Sequence, residues 1–162
     1  MRLGLGFLDT DEEVEKKAGR TISEIFALEG EAGFRMLERR EVFGACERDG
    51  FVVALGGGAA ADPELATAAR ESGVVVLLEA SAETLYGRIS ADETSKDRRP
   101  GLTSSGGLEE VKVLLERRRE AYETAAHFRV DTEGVTPVEV AERISAAIGP
   151  FENLEENSDN NS

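Results

Sequence analysis

The chain has 162 residues, of which 40% are hydrophobic and 32% are charged, a composition typical of a soluble domain with a proper core. Its 33 acidic and 19 basic residues give a net charge of −14, which argues against nucleic acid or an anionic membrane surface as a partner. No apolar stretch is long enough to span a membrane, and a single cysteine, Cys46, forms no internal disulfide, so we expect a cytoplasmic protein.

The first third of the chain predicts a strand, three helices and a second strand. Gly19 is the expected stop of the first helix, and Thr21 to Glu24 form a capping box at the start of the second. The elements in order are a strand over Leu3–Leu8, helices over 12–18, 21–30 and 31–48, and a strand over Phe51–Leu55.

The second strand is the centre of the pattern. Its apolar run ends in three consecutive glycines, Gly56 to Gly58, and Asp62-Pro63 then opens a helix. A buried strand, a glycine turn and a helix in that order are how a parallel α/β sheet builds a ligand crevice. The alternative is a tight turn without a ligand, but one glycine would suffice for that, so we favour a site.

The rest of the chain continues the alternation of strands and helices, which predicts an α/β fold with a mainly parallel sheet. A polar stretch over 91–107 interrupts it and is expected to be a mobile loop. The predicted elements are a buried strand over Val74–Leu78, a helix over 81–90, a long helix over Leu108–Ala125, a strand over Phe128–Val130, a helix over 136–148, and an acidic disordered tail over 149–162.

Two aspartates, Asp9 and Asp11, follow the first strand directly. If the strand alternation continues, both side chains lie on one face, where they can share a metal ion, a proton or substrate hydroxyls. Helix capping requires only one of them and is an equally good interpretation.

The arginines permit two interpretations as well. Arg35 and Glu38 lie three residues apart on one helix face. The simpler interpretation is a surface ion pair, and the functional interpretation is an arginine that binds a substrate carboxylate with its forked guanidinium. Arg98 and Arg99 in the polar loop are either solvated or brought over a transferring phosphate. Of the three arginines over 117–119, at least one points outward.

These motifs together resemble the shikimate kinase family, from about Leu3 to Ile148. Each motif alone is weak, but the ordered set is specific. The resemblance implies one kinase domain over residues 1–148, with a three-layer parallel sheet and helices on both faces as in P-loop kinases. The matching segments are Asp9-Thr10-Asp11, Phe34-Arg35-Met36-Leu37-Glu38, Gly56-Gly57-Gly58, Arg99-Pro100, Arg118-Arg119-Glu120-Ala121-Tyr122 and Val130-Asp131-Thr132.

The resemblance also implies a reaction: a monomeric enzyme transfers the γ-phosphoryl group of ATP, with Mg²⁺, to the 3-hydroxyl of shikimate in chorismate biosynthesis. Asp11 would bind shikimate hydroxyls and act as the base, while Arg99 would bind the phosphates of ATP and assist their transfer. Asp9 would help to hold Mg²⁺ through water. The remaining implied shikimate ligands are Arg35 and Arg118 for the carboxylate, together with Glu38, Gly56, Gly57 and Gly58.

One motif of the family has no counterpart in this sequence. The family places G-x-x-x-x-G-K-[ST] after its first, central strand, whereas Gly19-Arg20-Thr21 follows a predicted helix and is not such a loop. We expect a start assigned too late, at Met1, with the strand and loop upstream, and neighbouring strands left exposed in the chain as given. Two alternatives are a non-catalytic protein that keeps the shikimate pocket and another small-metabolite kinase, such as a gluconate kinase.

Overall fold

The computed structural model describes residues 4–91 and 107–149. Strands and helices alternate along it much as the sequence predicts. The elements are β1 (Gly6–Asp9), α1 (Thr10–Ala18), α2 (Ile22–Cys46), β2 (Phe51–Ala54), a 3₁₀ turn (Ala59–Ala61), α3 (Pro63–Ser72), β3 (Val76–Glu79), α4 (Ala82–Ala91), α5 (Gly107–Ala125), β4 (Phe128–Asp131) and α6 (Pro137–Ile148). Nearly all of the predicted polar loop, and the predicted tail after Gly149, lie outside the described residues.

The strands form two parallel pairs. Strand β1 pairs with β2, with Gly6 opposite Phe51, and β3 pairs with β4, with Val76 opposite Phe128. In the part of the chain that the structure describes, no strand is hydrogen-bonded between β2 and β3. This break in the sheet matches the expectation that the central strand of the family has no counterpart in these residues.

The apolar runs of β2 and β3 predict buried strands, but both strands are partly exposed, as expected where the neighbouring central strand is absent from the described residues. Both strands are apolar, yet Phe51 and Val52 are 42% and 48% exposed, and Leu78 is 52% exposed. Each of the two strands has a hydrogen-bonded neighbour on one side, so a full sheet does not enclose its side chains. An apolar run predicts a strand but does not reveal how many neighbours the strand has.

Local signals fix the helix boundaries. Gly19 ends α1 in the left-handed conformation, with φ of 64°, and the Thr21–Glu24 capping box begins α2. Gly30, with φ of 72°, interrupts α2 at the point where the sequence predicts two separate helices. The predicted helix start at Asp62 is confirmed, and Ser81 and Thr136 cap α4 and α6.

Helix α2 is held by two apolar clusters. Its first part packs with α1 through Val14, Ile22, Ile25 and Phe34. Further along, Val42 packs with Ala59 and Leu65, which fixes the helix against the turn after β2. Because these buried side chains set the rotation of α2, they also determine that its Arg35–Glu38 face is turned toward the end of β2.

Candidate functional site

The three glycines form a turn at the carboxyl end of β2. The amide of Ala60 donates to the carbonyl of Gly56, and that of Ala61 donates to Gly58, each at 3.2 Å. Ala59, 1% exposed, packs in the second apolar cluster. The turn is therefore held rigidly, and its glycines present bare backbone to the side chains around it.

Thr10 ties this turn to β1. Its buried hydroxyl donates to the carbonyl of Ala54 and accepts from the amide of Gly56, both at 3.2 Å. The carboxyl ends of the two strands are thus joined by one side chain. Thr10 was not predicted to belong to the site, although its hydroxyl lies between two carboxylates directly after a strand.

The two aspartates have different positions. Helix α1 begins at Thr10, so the strand alternation ends at Asp9 and does not place the two side chains on one face as predicted. Asp9 caps α1 through Oδ1, which accepts from the amides of Asp11 and Glu12 at 2.9 and 3.2 Å. Asp11 instead lies against the glycine turn, where a Cβ added to Gly56 would stand 2.7 Å from its Oδ1.

Arg35 and Glu38 extend from α2 to the same turn. Nη1 of Arg35 donates to Oε2 of Glu38 at 2.6 Å, and Oε1 of Glu38 would lie 3.3 Å from a Cβ on Gly56. Glu38 is only 2% exposed, so the interpretation as a surface ion pair is wrong. A buried, fixed carboxylate instead holds the guanidinium at the glycine turn.

The charge of Arg35 is secure. Burial of its guanidinium lowers its pKa, but hydrogen bonds and charge from Glu38 and Glu31 outweigh this effect, and the pKa lies above its ordinary value. Arg35 therefore keeps a full positive charge beside the turn at any physiological pH.

Helix α5 approaches the turn from another side. Nη1 of Arg118 would lie 3.1 Å from a Cβ on Gly57, and the hydroxyl of Tyr122 donates to the carbonyl of Gly57 at 2.9 Å. Its neighbour Arg119 points outward and pairs with Glu116 at 2.9 Å. Arg117 is exposed as well, so Arg118 is the arginine of this run that meets the crevice. Within residues 4–91 and 107–149, no carboxylate lies within ion-pair distance of Arg118.

The structure therefore brings together seven of the residues predicted from the sequence: Asp11, Arg35, Glu38, Gly56, Gly57, Gly58 and Arg118. Arg99 falls outside the described residues, and its predicted role is untested.

Within the described chain, no group of three or more His, Cys, Asp or Glu side chains is placed to hold a metal ion. Gly19 ends α1 and Thr21 caps α2, so the segment joins two helices. This agrees with the prediction that it is not a phosphate loop.

This arrangement has the chemistry of a site for a small hydroxylated acid: guanidinium groups for a carboxylate, and carboxylates for hydroxyls. A sequence model of the family described as shikimate kinase matches residues 1–149. The chain belongs to the shikimate kinase family. It is 45% identical to the shikimate kinase of Symbiobacterium thermophilum over 132 residues, which cover 82% of this chain and 75% of the relative. Identity to the Salinibacter ruber shikimate kinase is 43% over 146 residues, with 85% and 69% covered.

Solved shikimate kinases have the same fold. The enzyme from Acinetobacter baumannii, in complex with shikimate, matches with a TM-score of 0.83 and 32% identity over 90% of this chain and 79% of that one. The Aquifex aeolicus enzyme matches with a TM-score of 0.75 and 32% identity, covering 90% and 82%. The predicted α/β kinase fold is confirmed, and these relatives support a shikimate kinase over the non-catalytic and gluconate kinase alternatives. The described helices include no candidate membrane span.

Proposed function

We propose that the crevice at Gly56–Gly58 is a shikimate site and that the protein transfers the γ-phosphoryl group of ATP to the 3-hydroxyl of shikimate. The observation that carries this proposal is the convergence of two acids and two arginines, from three helices, on one glycine turn. Membership in the shikimate kinase family supports the same substrate.

The two arginines have different parts in binding the carboxylate. Arg118 has no acidic partner in the described chain, so its guanidinium is available for a carboxylate from the substrate. Arg35 already donates to Glu38 and Glu31, at 2.6 and 3.3 Å, and these bonds orient it. Arg118 is therefore the main carboxylate ligand, and Arg35 is a second, more rigid one.

Asp11 is the proposed base. It lies at the glycine turn beside the buried Glu38, where a hydroxyl that binds to the exposed backbone also meets a carboxylate. In phosphoryl transfer the protein mainly positions the nucleophilic hydroxyl and neutralises charge, so a carboxylate that orients this hydroxyl and accepts its proton is the contribution expected of Asp11.

ATP and Mg²⁺ complete the proposal. Magnesium prefers oxygen ligands, keeps several waters and is usually held by one or two carboxylates together with substrate phosphates. Asp9 fits such a site because Oδ1 caps α1, while no described residue donates a hydrogen bond to Oδ2, which can accept one from a metal-bound water. Bound Mg²⁺ would neutralise phosphate charge, and Arg99 would add positive charge to the same phosphates. Cytoplasmic location and a monomeric state belong to the same proposal.

Two measurements test it: shikimate binding by the purified chain, and ADP release by a protein that includes the phosphate loop expected from the sequence. Calorimetric titration with shikimate should give saturable binding that gluconate does not reproduce, and ADP release should require shikimate, ATP and Mg²⁺ together. Removal of Mg²⁺ with a chelator should abolish ADP release while shikimate binding persists. Binding of shikimate without any ADP release by the protein that includes the phosphate loop would favour the non-catalytic alternative, and absence of shikimate binding would refute the site.

A further inference from the structure

Tyr122 connects the arginine of α5 to the glycine turn. It follows Arg118 by four residues, one helical turn, so the two side chains lie on the same face of α5. The hydroxyl of Tyr122 donates to the carbonyl of Gly57 at 2.9 Å, and Nη1 of Arg118 donates to the same hydroxyl at 3.4 Å. One phenol group can donate one hydrogen bond and accept another, so both contacts are compatible.

No other described side chain fixes the guanidinium of Arg118. Arg35 is held by Glu38 and Glu31. Within the described residues, Arg118 makes a hydrogen bond to Tyr122 alone. A long, flexible arginine that is ordered only when substrate arrives loses side-chain entropy at that moment, and this loss weakens binding. A neutral hydroxyl can order the guanidinium without neutralising the charge needed for a carboxylate.

We infer that Tyr122 is a positioning residue, which holds Arg118 against Gly57 in the orientation that receives the substrate carboxylate. This inference rests on the proposed shikimate site. It predicts that Tyr122 acts on affinity for shikimate through Arg118, whereas a tyrosine that merely joins α5 to the turn would change this affinity by the same factor whether or not Arg118 is present.

The experiment compares Tyr122→Phe with the wild-type chain by calorimetric titration with shikimate. Loss of the hydroxyl should raise the Kd about tenfold, the effect of one hydrogen bond in a charged network. The other tyrosine of the chain, Tyr86, provides the matched control, since Tyr86→Phe removes a hydroxyl that has no part in the site and should leave the Kd unchanged. In the turnover assay, the KM for shikimate should rise more than kcat falls.

A double-mutant cycle with Arg118→Ala separates positioning from a structural role. In the Arg118→Ala background, Tyr122→Phe should change the shikimate Kd by less than about twofold, since the group it orients is gone. An equal factor in both backgrounds, or an unchanged Kd for Tyr122→Phe alone, would overturn the inference and leave the shikimate site intact. Failure of the wild-type chain to bind shikimate would overturn the proposed function, and this inference with it.

Discussion

Arg35 lies so close to Gly58 that a methyl group on Gly58 would overlap its guanidinium: an ideal Cβ would stand 2.1 Å from Nη1. Gly58 has φ of −72° and ψ of −41°, ordinary helical values that alanine also adopts. The glycine is therefore needed for space and not for its backbone freedom. Because the obstacle is the end of a flexible side chain, a larger residue at position 58 would push the side chain of Arg35 aside and leave the backbone in place.

Gly58→Ala should weaken shikimate binding by roughly 10–100-fold, since the added methyl moves one of the two carboxylate ligands. The free energy of unfolding should change by less than about 1 kcal/mol, because Arg35 can swing toward solvent. Calorimetry and urea denaturation measure the two effects.

The matched control is Gly44→Ala on the same helix as Arg35, where a Cβ meets nothing within 4 Å. It should leave affinity unchanged and add about 0.5–1 kcal/mol of stability. Wild-type affinity in Gly58→Ala would show that Arg35 is not a ligand in this position.

Arg118→Ala should weaken shikimate binding by about 2–4 kcal/mol, because a substrate carboxylate taken out of water would lose its main partner. The KM for ATP should be nearly unchanged. Arg119→Ala is the control: this residue is the next one along α5, but it points outward and pairs with Glu116. A change in ATP affinity with shikimate affinity intact would contradict the assignment of Arg118.

Local structure was largely predictable from the sequence because the responsible interactions are local. The capping box at Thr21 and Glu24, the stop at Gly19 and the break at Gly30 depend on residues at most three positions apart or on a single φ angle. The approach of Arg35 and Glu38 to a common site followed from their helical spacing and from the family resemblance, although the burial of Glu38 did not.

Contacts between distant segments were not predictable in the same way. Tyr122 bonds to a carbonyl 65 residues away, and Thr10 to an amide 46 residues away, so no local pattern marks either bond. The apolar pattern alone predicted that β2 and β3 are buried, and their exposure was expected only from the absence of the neighbouring strand. Apolar residues such as Val52 and Leu78 indicate strands, whereas burial depends on which strands lie beside them.

Asp11→Asn should reduce kcat strongly and change the KM for shikimate much less, because the amide can still bind a hydroxyl but cannot accept its proton. Initial rates of ADP release at saturating shikimate measure this. The control is Asp49→Asn, a change of the same kind at an exposed aspartate before β2, which should leave turnover unaltered. Turnover close to that of the wild type in Asp11→Asn would remove Asp11 as the base.

Thr10→Val should destabilise the protein by about 1–3 kcal/mol, since it leaves two partly buried backbone groups, on Ala54 and Gly56, without the hydroxyl that they share. Shikimate affinity should fall as well, because the glycine turn loses its tie to β1. Thr10→Ser retains the hydroxyl and should recover most of the affinity. The measurements are urea denaturation and calorimetry; equal affinities in the valine and wild-type chains would show that Thr10 does not position the turn.

Glu41 should make the stability of the α1–α2 contact dependent on pH. Burial raises its pKa, but hydrogen bonds from Lys17 at 2.5 Å and Arg40 at 3.0 Å outweigh burial and hold the pKa below the usual value of 4.5. Because the folded pKa lies below the unfolded one, the stabilisation is complete above pH 4.5 and is lost as the pH falls through the folded pKa.

Glu41→Gln removes the charge, so this variant should be less stable than the wild type by about 1–2 kcal/mol at pH 7. The difference should shrink as the pH drops below 4.5, when the wild-type carboxylate also becomes neutral. Urea denaturation at several pH values measures the difference between the two chains, and this subtraction cancels the other titrating groups. Glu71→Gln, at an exposed position on α3, should show no such difference at any pH. A gap between Glu41→Gln and the wild type that stays constant with pH would mean that the charge of Glu41 does not stabilise the contact.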